Sequence, residues 1–124
     1  MMDQDKILEQ ESQVVAEIKR LSEVAVYFYR AADGDRNSGS SDLGESIENN
    51  ERRYRDIRAE SIRLASTISD DFYKSAAIHF LIGMLVQTKD IALARNLLKQ
   101  VKIDMIRKKI VSEFPEIKKK WLYW

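Results

Sequence analysis

The amino-terminal quarter of the chain has the apolar spacing of one long amphipathic helix. Apolar residues recur there at alternating steps of four and three residues, with Glu11 as the one polar member of the series. The apolar members are Ile7, Val14, Ile18, Leu21, Ala25, Phe28 and Ala32. This period places the series on one helical face. Leu8, Val15 and Tyr29 widen that face. We therefore predict a helix over residues 3–32 that packs against more than one neighbour.

Residues 33–50 have the composition of a flexible, acidic linker. Three of the four glycines of the chain lie in this segment, and its only large apolar residues are Leu43 and Ile47. A segment that buries so little apolar surface does not offset its own ordering entropy. Gly34 is expected to close the first helix, because glycine accepts the left-handed conformation common there.

The rest of the chain, residues 51–120, is predicted to be helical. Tyr54, Ile57, Leu64 and Ile68 share one helical face. A second helix, from about Phe72 to Gln87, is almost entirely apolar and should be the buried centre of the protein. Three residues mark the ends of the later helices. Asp90 is expected to cap a third helix, and Asp104 is expected to cap a fourth that begins at Met105. Pro115 is expected to end this fourth helix.

These elements predict a single all-α domain of four or five helices. In the expected bundle, the helix over 3–32 packs on two antiparallel hairpins, and an aromatic tail at 121–124 follows them. A shift of 33 residues supports the hairpins, because it aligns similar residues: Leu64 with Leu97, Ile68 with Val101, Asp71 with Asp104, Phe72 with Met105, Ala77 with Ile110, and Leu81 with Phe114. A period near 33 is typical of stacked helical hairpins.

Over about residues 54–117, the chain resembles the tetratricopeptide-like helical repeats. Ala76, Phe80 and Gly83 match the small–aromatic–small pattern of that family's second helix. Ser61 and Ala94 depart from it, because they stand where the first helix of each unit should begin with an aromatic residue. Lys109, Glu113 and Glu116 also depart from the small–aromatic–small pattern in the second unit. An ordinary antiparallel helix bundle is the alternative.

Composition and charge narrow the classes of function. The chain has no cysteine, which excludes disulfides, thiolate nucleophiles and cysteine zinc sites. We find no signal sequence and no apolar run of membrane-spanning length, so we expect a cytoplasmic protein without membrane contact. The formal net charge is +1, but residues 1–50 carry 5 basic against 11 acidic residues, and residues 91–124 carry 9 against 3.

No motif for catalysis or for a cofactor is found. His79 is the single histidine and has no second histidine or cysteine with which to bind zinc, so we expect a core or edge residue. Alternating oxygen ligands, Asp33, Asp35 and Asn37, followed by Glu45, suggest a calcium loop. Ser38 and Gly44 occupy the positions where such a loop needs glycine and glutamate. We interpret the segment as a solvated acidic linker that holds no metal.

Two basic clusters are candidates for anion binding. Arg52, Arg53, Arg55, Arg58 and Arg63 surround Tyr54 and could contact phosphates. Glu51 and Asp56 lie four residues from arginines of this cluster, which favours a self-neutralised, solvated helix face. In the second cluster, basic residues precede an aromatic tail: Arg107, Lys108, Lys109, Lys118, Lys119, Lys120, then Trp121, Tyr123 and Trp124. Such a tail either folds back, docks into a partner, or binds single strands by charge and stacking.

We therefore predict a non-enzymatic protein-interaction module: a small adaptor, chaperone-like protein or regulatory subunit. Its expected partner contacts are Phe28, Tyr29, Trp121, Tyr123 and Trp124, and we expect a homodimer through residues 3–32, where the apolar surface exceeds what a small core requires. The alternative is a nucleic-acid-binding accessory protein that acts through the basic carboxy-terminal third, by way of Arg107, Lys108, Lys109 and Lys118–Lys120.

Overall fold

The computed structural model describes residues 4–38 and 44–118, which form an all-α bundle of five helices. The helices are α1 (Gln4–Asn37), α2 (Gly44–Ser66), α3 (Asp71–Gln87), α4 (Ile91–Leu98) and α5 (Asp104–Glu113), and a 3-10 turn at Pro115–Ile117 follows them. The described ranges contain no β-strand. The predicted fold class is thus confirmed. The tail residues Lys119, Lys120, Trp121, Tyr123 and Trp124 lie outside the described ranges.

Helix α3 is the buried centre, as its apolar sequence predicts. Its buried residues are Ser75, Ala77, Ile78, Leu81, Ile82, Gly83, Met84 and Leu85. All four other helices pack against α3. An element that packs on four neighbours exposes little surface, which is why its sequence lacks the amphipathic alternation of α1.

Helices α1 and α2 form an antiparallel hairpin. Tyr29 contacts Tyr54, and nearer the loop Arg36 pairs with Glu51. Helices α1 and α5 instead run parallel to α3. Glu11 and Arg30 of α1 contact Asp70 and Gln87. Lys102, just before α5, pairs with Asp71, and Glu113 contacts His79. Helix α1 packs on both α2 and α3, and its contact with α2 is the most extensive between any two of the described helices.

The predicted linker at 33–50 is wrong for residues 33–37 and 44–50, which are helical. Polar contacts hold these helix ends together: the Asp35 carboxylate accepts hydrogen bonds from Ser46 (3.0 Å) and Asn50 (3.4 Å). The linker prediction rests on apolar burial alone, and these polar contacts are not visible in the apolar pattern. Gly34 lies inside α1 and does not close it.

The other helix ends follow the sequence signals with one exception. The carboxylates of Asp70 and Asp90 accept hydrogen bonds from the backbone N–H groups of Tyr73 and Leu93 and so cap α3 and α4. Helix α5 ends at Glu113, two residues before Pro115.

Asp104 is the exception, because it is the first residue of α5 and the cap position is held by Ile103, which makes no side-chain cap bond.

The 33-residue offset relates Asp104 to Asp71, the first residue of α3. It also relates exposed Phe72 to exposed Met105 and fully buried Ala77 to fully buried Ile110. The resemblance to tetratricopeptide-like repeats stays a prediction.

The Glu11 carboxylate joins α1 to the turn before α3. The residue is 8 % exposed. It accepts hydrogen bonds from the Ser69 N–H (2.7 Å), the Ser69 hydroxyl (2.6 Å) and the Asp70 N–H (3.1 Å). Burial raises the pKa of Glu11, but these three donors together outweigh it and hold the pKa below its ordinary value.

We expect Glu11→Gln to lower the free energy of unfolding by about 2 kcal/mol at about pH 7, because a charged acceptor of three hydrogen bonds is lost. Since the folded-state pKa is depressed, the stabilisation is present above the unfolded-state pKa and is lost as pH falls through the folded-state pKa. The deficit should therefore shrink towards about pH 3 in urea denaturation.

Glu9→Gln is the matched control, because Glu9 is exposed on the same helix. Equal losses in both variants, or a Glu11→Gln deficit that does not change with pH, would contradict the role assigned to Glu11.

Candidate functional site: a groove between α1 and α3

Helices α1 and α3 border an open groove of about 500 Å³. The lining side chains come from α1, α3 and the end of α5: Lys19, Ser22, Glu23, Val26, Arg30, His79, Phe80, Gly83, Met84, Gln87, Glu113 and Phe114. The groove therefore combines apolar side chains with both signs of charge. That composition is typical of sites that bind a ligand through a few polar groups and an apolar surface.

Gly83 allows Phe114 to pack directly against α3. A Cβ atom at Gly83 would lie 3.3 Å from Cζ of Phe114. This distance is tight for a carbon contact, so any side chain at position 83 has to push the Phe114 ring outward. The glycine thus sets how closely the segment after α5 approaches α3, and with it the width of the groove.

His79 forms part of one wall and is paired with Glu113. Its Nε2 lies 2.6 Å from a carboxylate oxygen of Glu113. The imidazole also stacks on Phe80 (centroids 5.9 Å apart) and meets the edge of Phe114 (6.2 Å). Because an ionised carboxylate only accepts hydrogen bonds, Nε2 carries the proton in this contact. His79 therefore lies at the edge of the core and ties α3 to α5.

The charged groups at the groove differ in how they are held. The Lys19 ammonium lies 5.8 Å from the centroid of Phe80, and Arg30 donates a 3.0 Å hydrogen bond to the side-chain oxygen of Gln87. Both cations thus have neutral partners. Glu23 is exposed and takes part in no hydrogen bond or ion pair within the described ranges.

Ser22 brings a buried hydroxyl to the groove without an internal hydrogen-bond partner. The residue is 5 % exposed, and no described residue bonds to its Oγ. Leaving such a group unsatisfied costs about 1–3 kcal/mol. A ligand group that reached this hydroxyl would recover part of that cost.

The two described partner residues proposed from sequence do not line the groove. Phe28 and Tyr29 are half-buried and pack against the core, where Arg53 lies over the Phe28 ring (5.4 Å) and Tyr54 meets Tyr29 edge-on. Tyr27 was not singled out, yet it is 67 % exposed. It lies four residues after Glu23 on α1 but is not among the residues that line the groove.

The described basic residues of the second cluster differ in their contacts. Arg107 donates a hydrogen bond to the Val101 carbonyl and lies 3.8 Å from an Asp104 oxygen. Lys108, Lys109 and Lys118 are exposed. Nucleic-acid binding through this region stays a prediction.

The acidic residues of the predicted linker do not form a calcium loop. Asp33, Asp35 and Asn37 lie in the last turns of α1, and Glu45 lies in the first turn of α2. Asp35 is engaged by Ser46 and Asn50. Over residues 4–38 and 44–118, no group of three or more metal-binding side chains is close enough to hold an ion.

Comparison with protein-family models, curated proteins and solved structures finds no match. Among the described helices, none is both long and apolar enough to cross a membrane. The chemistry of the groove is therefore the basis for assigning a function.

We expect Ser22→Ala to raise the free energy of unfolding by about 1 kcal/mol, because it removes an unsatisfied buried hydroxyl from a helix. Ser61→Ala is the matched control on α2, since the buried Ser61 hydroxyl donates a 2.8 Å hydrogen bond to the Arg58 carbonyl. Urea denaturation of both variants measures the difference. A Ser22→Ala loss as large as that of Ser61→Ala would show that the Ser22 hydroxyl has an internal partner.

Proposed function

We propose that this protein is a non-enzymatic interaction module, and that the groove between α1 and α3 binds a short amphipathic helix of a partner protein. The observation that carries the proposal is the groove itself. It is open and apolar along Val26, Met84 and Phe114, and it presents an unpaired hydroxyl at Ser22. An apolar groove between two helices is a common receptor for a partner helix.

The dimensions of the groove fit about three helical turns. Lys19 and Arg30 line its two ends on α1, and eleven helical residues correspond to about 16 Å. A bound helix of that length would present apolar residues at positions i, i+3 or i+4, and i+7.

The charges of the rim favour a particular partner. The charged residues of α1 that line the groove form its rim. Along this rim, the acidic Glu23 lies between the basic Lys19 and Arg30. A complementary helix carries a lysine or arginine opposite Glu23 and acidic residues towards both ends. Such complementarity sets specificity and association rate more than total affinity.

The contacts of Ser22 and His79 support the non-enzymatic part of the proposal. A serine nucleophile needs a hydrogen-bonded base, and the Ser22 hydroxyl has none among the described residues. His79 bonds to Glu113 and not to Ser22, so the two do not form a nucleophile–base pair. An adaptor, a chaperone-like protein or a regulatory subunit would use the groove in the same way.

A selection from a displayed library of helical peptides, with the intact protein as bait, tests this proposal. We expect enrichment of amphipathic peptides with a basic residue next to the apolar stripe. Glu23→Lys should weaken the selected peptides about tenfold, or about 1.4 kcal/mol, because it reverses the central rim charge.

Glu9→Lys is the control, since it makes the same charge change on an exposed position of α1 that does not line the groove. Equal weakening by both variants would indicate a general charge effect. Peptides that bind all three proteins equally would place the partner site outside the groove.

A further inference from the structure

A second cavity, of about 280 Å³, lies between α1 and α2 and collects cationic side chains. Its lining residues are Tyr29, Ala32, Arg36, Glu51, Tyr54, Arg55 and Arg58. Arg36 comes from α1, whereas the other two arginines come from α2. The hairpin thus adds a guanidinium that the helical spacing of α2 alone could not supply.

The three guanidinium groups have different partners. Arg36 pairs with Glu51 across the hairpin. Arg58 lies 2.5 Å from the Asp90 carboxylate and donates a 3.1 Å hydrogen bond to the Tyr54 hydroxyl. Arg55 is exposed and has no ion pair or hydrogen bond within the described ranges. Three positive charges therefore face two carboxylates, which leaves an excess positive charge at the cavity.

The aromatic wall of the cavity is held in place. Tyr54 is 8 % exposed, and its hydroxyl donates a 2.8 Å hydrogen bond to Thr88. The Tyr29 ring meets the Tyr54 ring edge-on at 5.3 Å. Because the wall is fixed before any ligand arrives, little conformational entropy is lost when one binds.

We infer that this cavity binds a phosphate monoester, with the phosphate held by Arg55 and Arg36 and the organic group against Tyr29. Guanidinium groups match phosphate oxygens in geometry and bind them through two parallel hydrogen bonds. A phosphate monoester carries nearly two negative charges at neutral pH, so it competes well with the single charge of Glu51 for Arg36.

The size of the cavity limits the ligand. A volume of about 280 Å³ lies at the lower end of ligand pockets, and it suits a phosphate with one small organic group. A phosphorylated tyrosine side chain and a free small organic phosphate share this chemistry. The inference is independent of the groove, because no residue lines both cavities.

Calorimetric titration of the intact protein at constant ionic strength tests the site. The probes are phenyl phosphate, N-acetylphosphotyrosine amide and inorganic phosphate. We expect saturable, one-to-one binding that Arg55→Gln weakens at least tenfold. Glu51→Gln should strengthen it several-fold, because Arg36 is then released from its internal ion pair. Tighter binding of the phosphotyrosine derivative would identify a phosphorylated side chain as the source, and tighter binding of phenyl phosphate would identify a free small organic phosphate. Inorganic phosphate that binds as tightly as both esters would contradict the contact of the organic group with Tyr29.

Arg52→Gln is the control, because Arg52 is exposed on the same helix and lies outside the cavity. Within the described ranges its side-chain hydrogen bond is to Asn49. Equal weakening by Arg52→Gln and Arg55→Gln would overturn the inference in favour of non-specific charge attraction. Absence of binding at millimolar probe, with helical circular dichroism unchanged, would also overturn it. Neither result would bear on peptide binding by the groove, which is tested with different variants.

Discussion

The buried carboxylate of Glu11 is the contact on which the positions of α1 and α3 depend. It interrupts the apolar face of α1 and satisfies the backbone N–H groups of Ser69 and Asp70 just before α3 begins. The contacting residues are 59 positions apart in sequence at Glu11–Asp70 and 57 apart at Arg30–Gln87. Because this separation is nearly constant, α1 and α3 run parallel between the two contacts. The groove lies between these two contacts. Its shape therefore follows from a polar interaction at one end and from apolar packing along the floor.

A second polar cluster organises the opposite end of the bundle. Tyr54 and Arg58 on α2 reach Thr88 and Asp90, which lie where α3 ends and α4 begins. Burial lowers the pKa of Arg58, but its contacts with Tyr54 and Asp90 outweigh this and raise the pKa, so the guanidinium is firmly charged. Between the two partners, Lys89 has a φ of 64°, which turns the chain into α4. The cluster joins three helices and also builds one wall of the arginine-lined cavity.

Local patterns in the sequence predict the helices well and their partners poorly. Periodicity identifies α1, the apolar run identifies the buried α3, and the cap at Asp90 is visible in the sequence because a cap bonds within its own turn. The length of α1 was underestimated, since contacts such as Asp35–Ser46 join residues of two different helices. Hydrophobic periodicity contains no information about such pairs.

The candidate sites depend on long-range pairs to an even greater extent. His79 and Glu113 are 34 residues apart, and Arg36 joins Arg55 only because α1 and α2 fold back on each other. Glu11 could be recognised from sequence as the polar member of an apolar series, but its acceptor role could not. Tyr27 is exposed on α1 although it lies outside the apolar series from which the partner residues are predicted.

The most direct test of this account is a pH titration of the Glu11 side-chain carboxyl carbon by NMR, followed together with the amide protons of Ser69 and Asp70. The account requires a Glu11 pKa below the ordinary glutamate value, because three donors stabilise the charged form. It also requires both amide signals to shift with the same midpoint as the carboxyl carbon. An ordinary or raised pKa, or amide signals that do not follow the carboxyl group, would contradict the claim that this carboxylate joins α1 to α3.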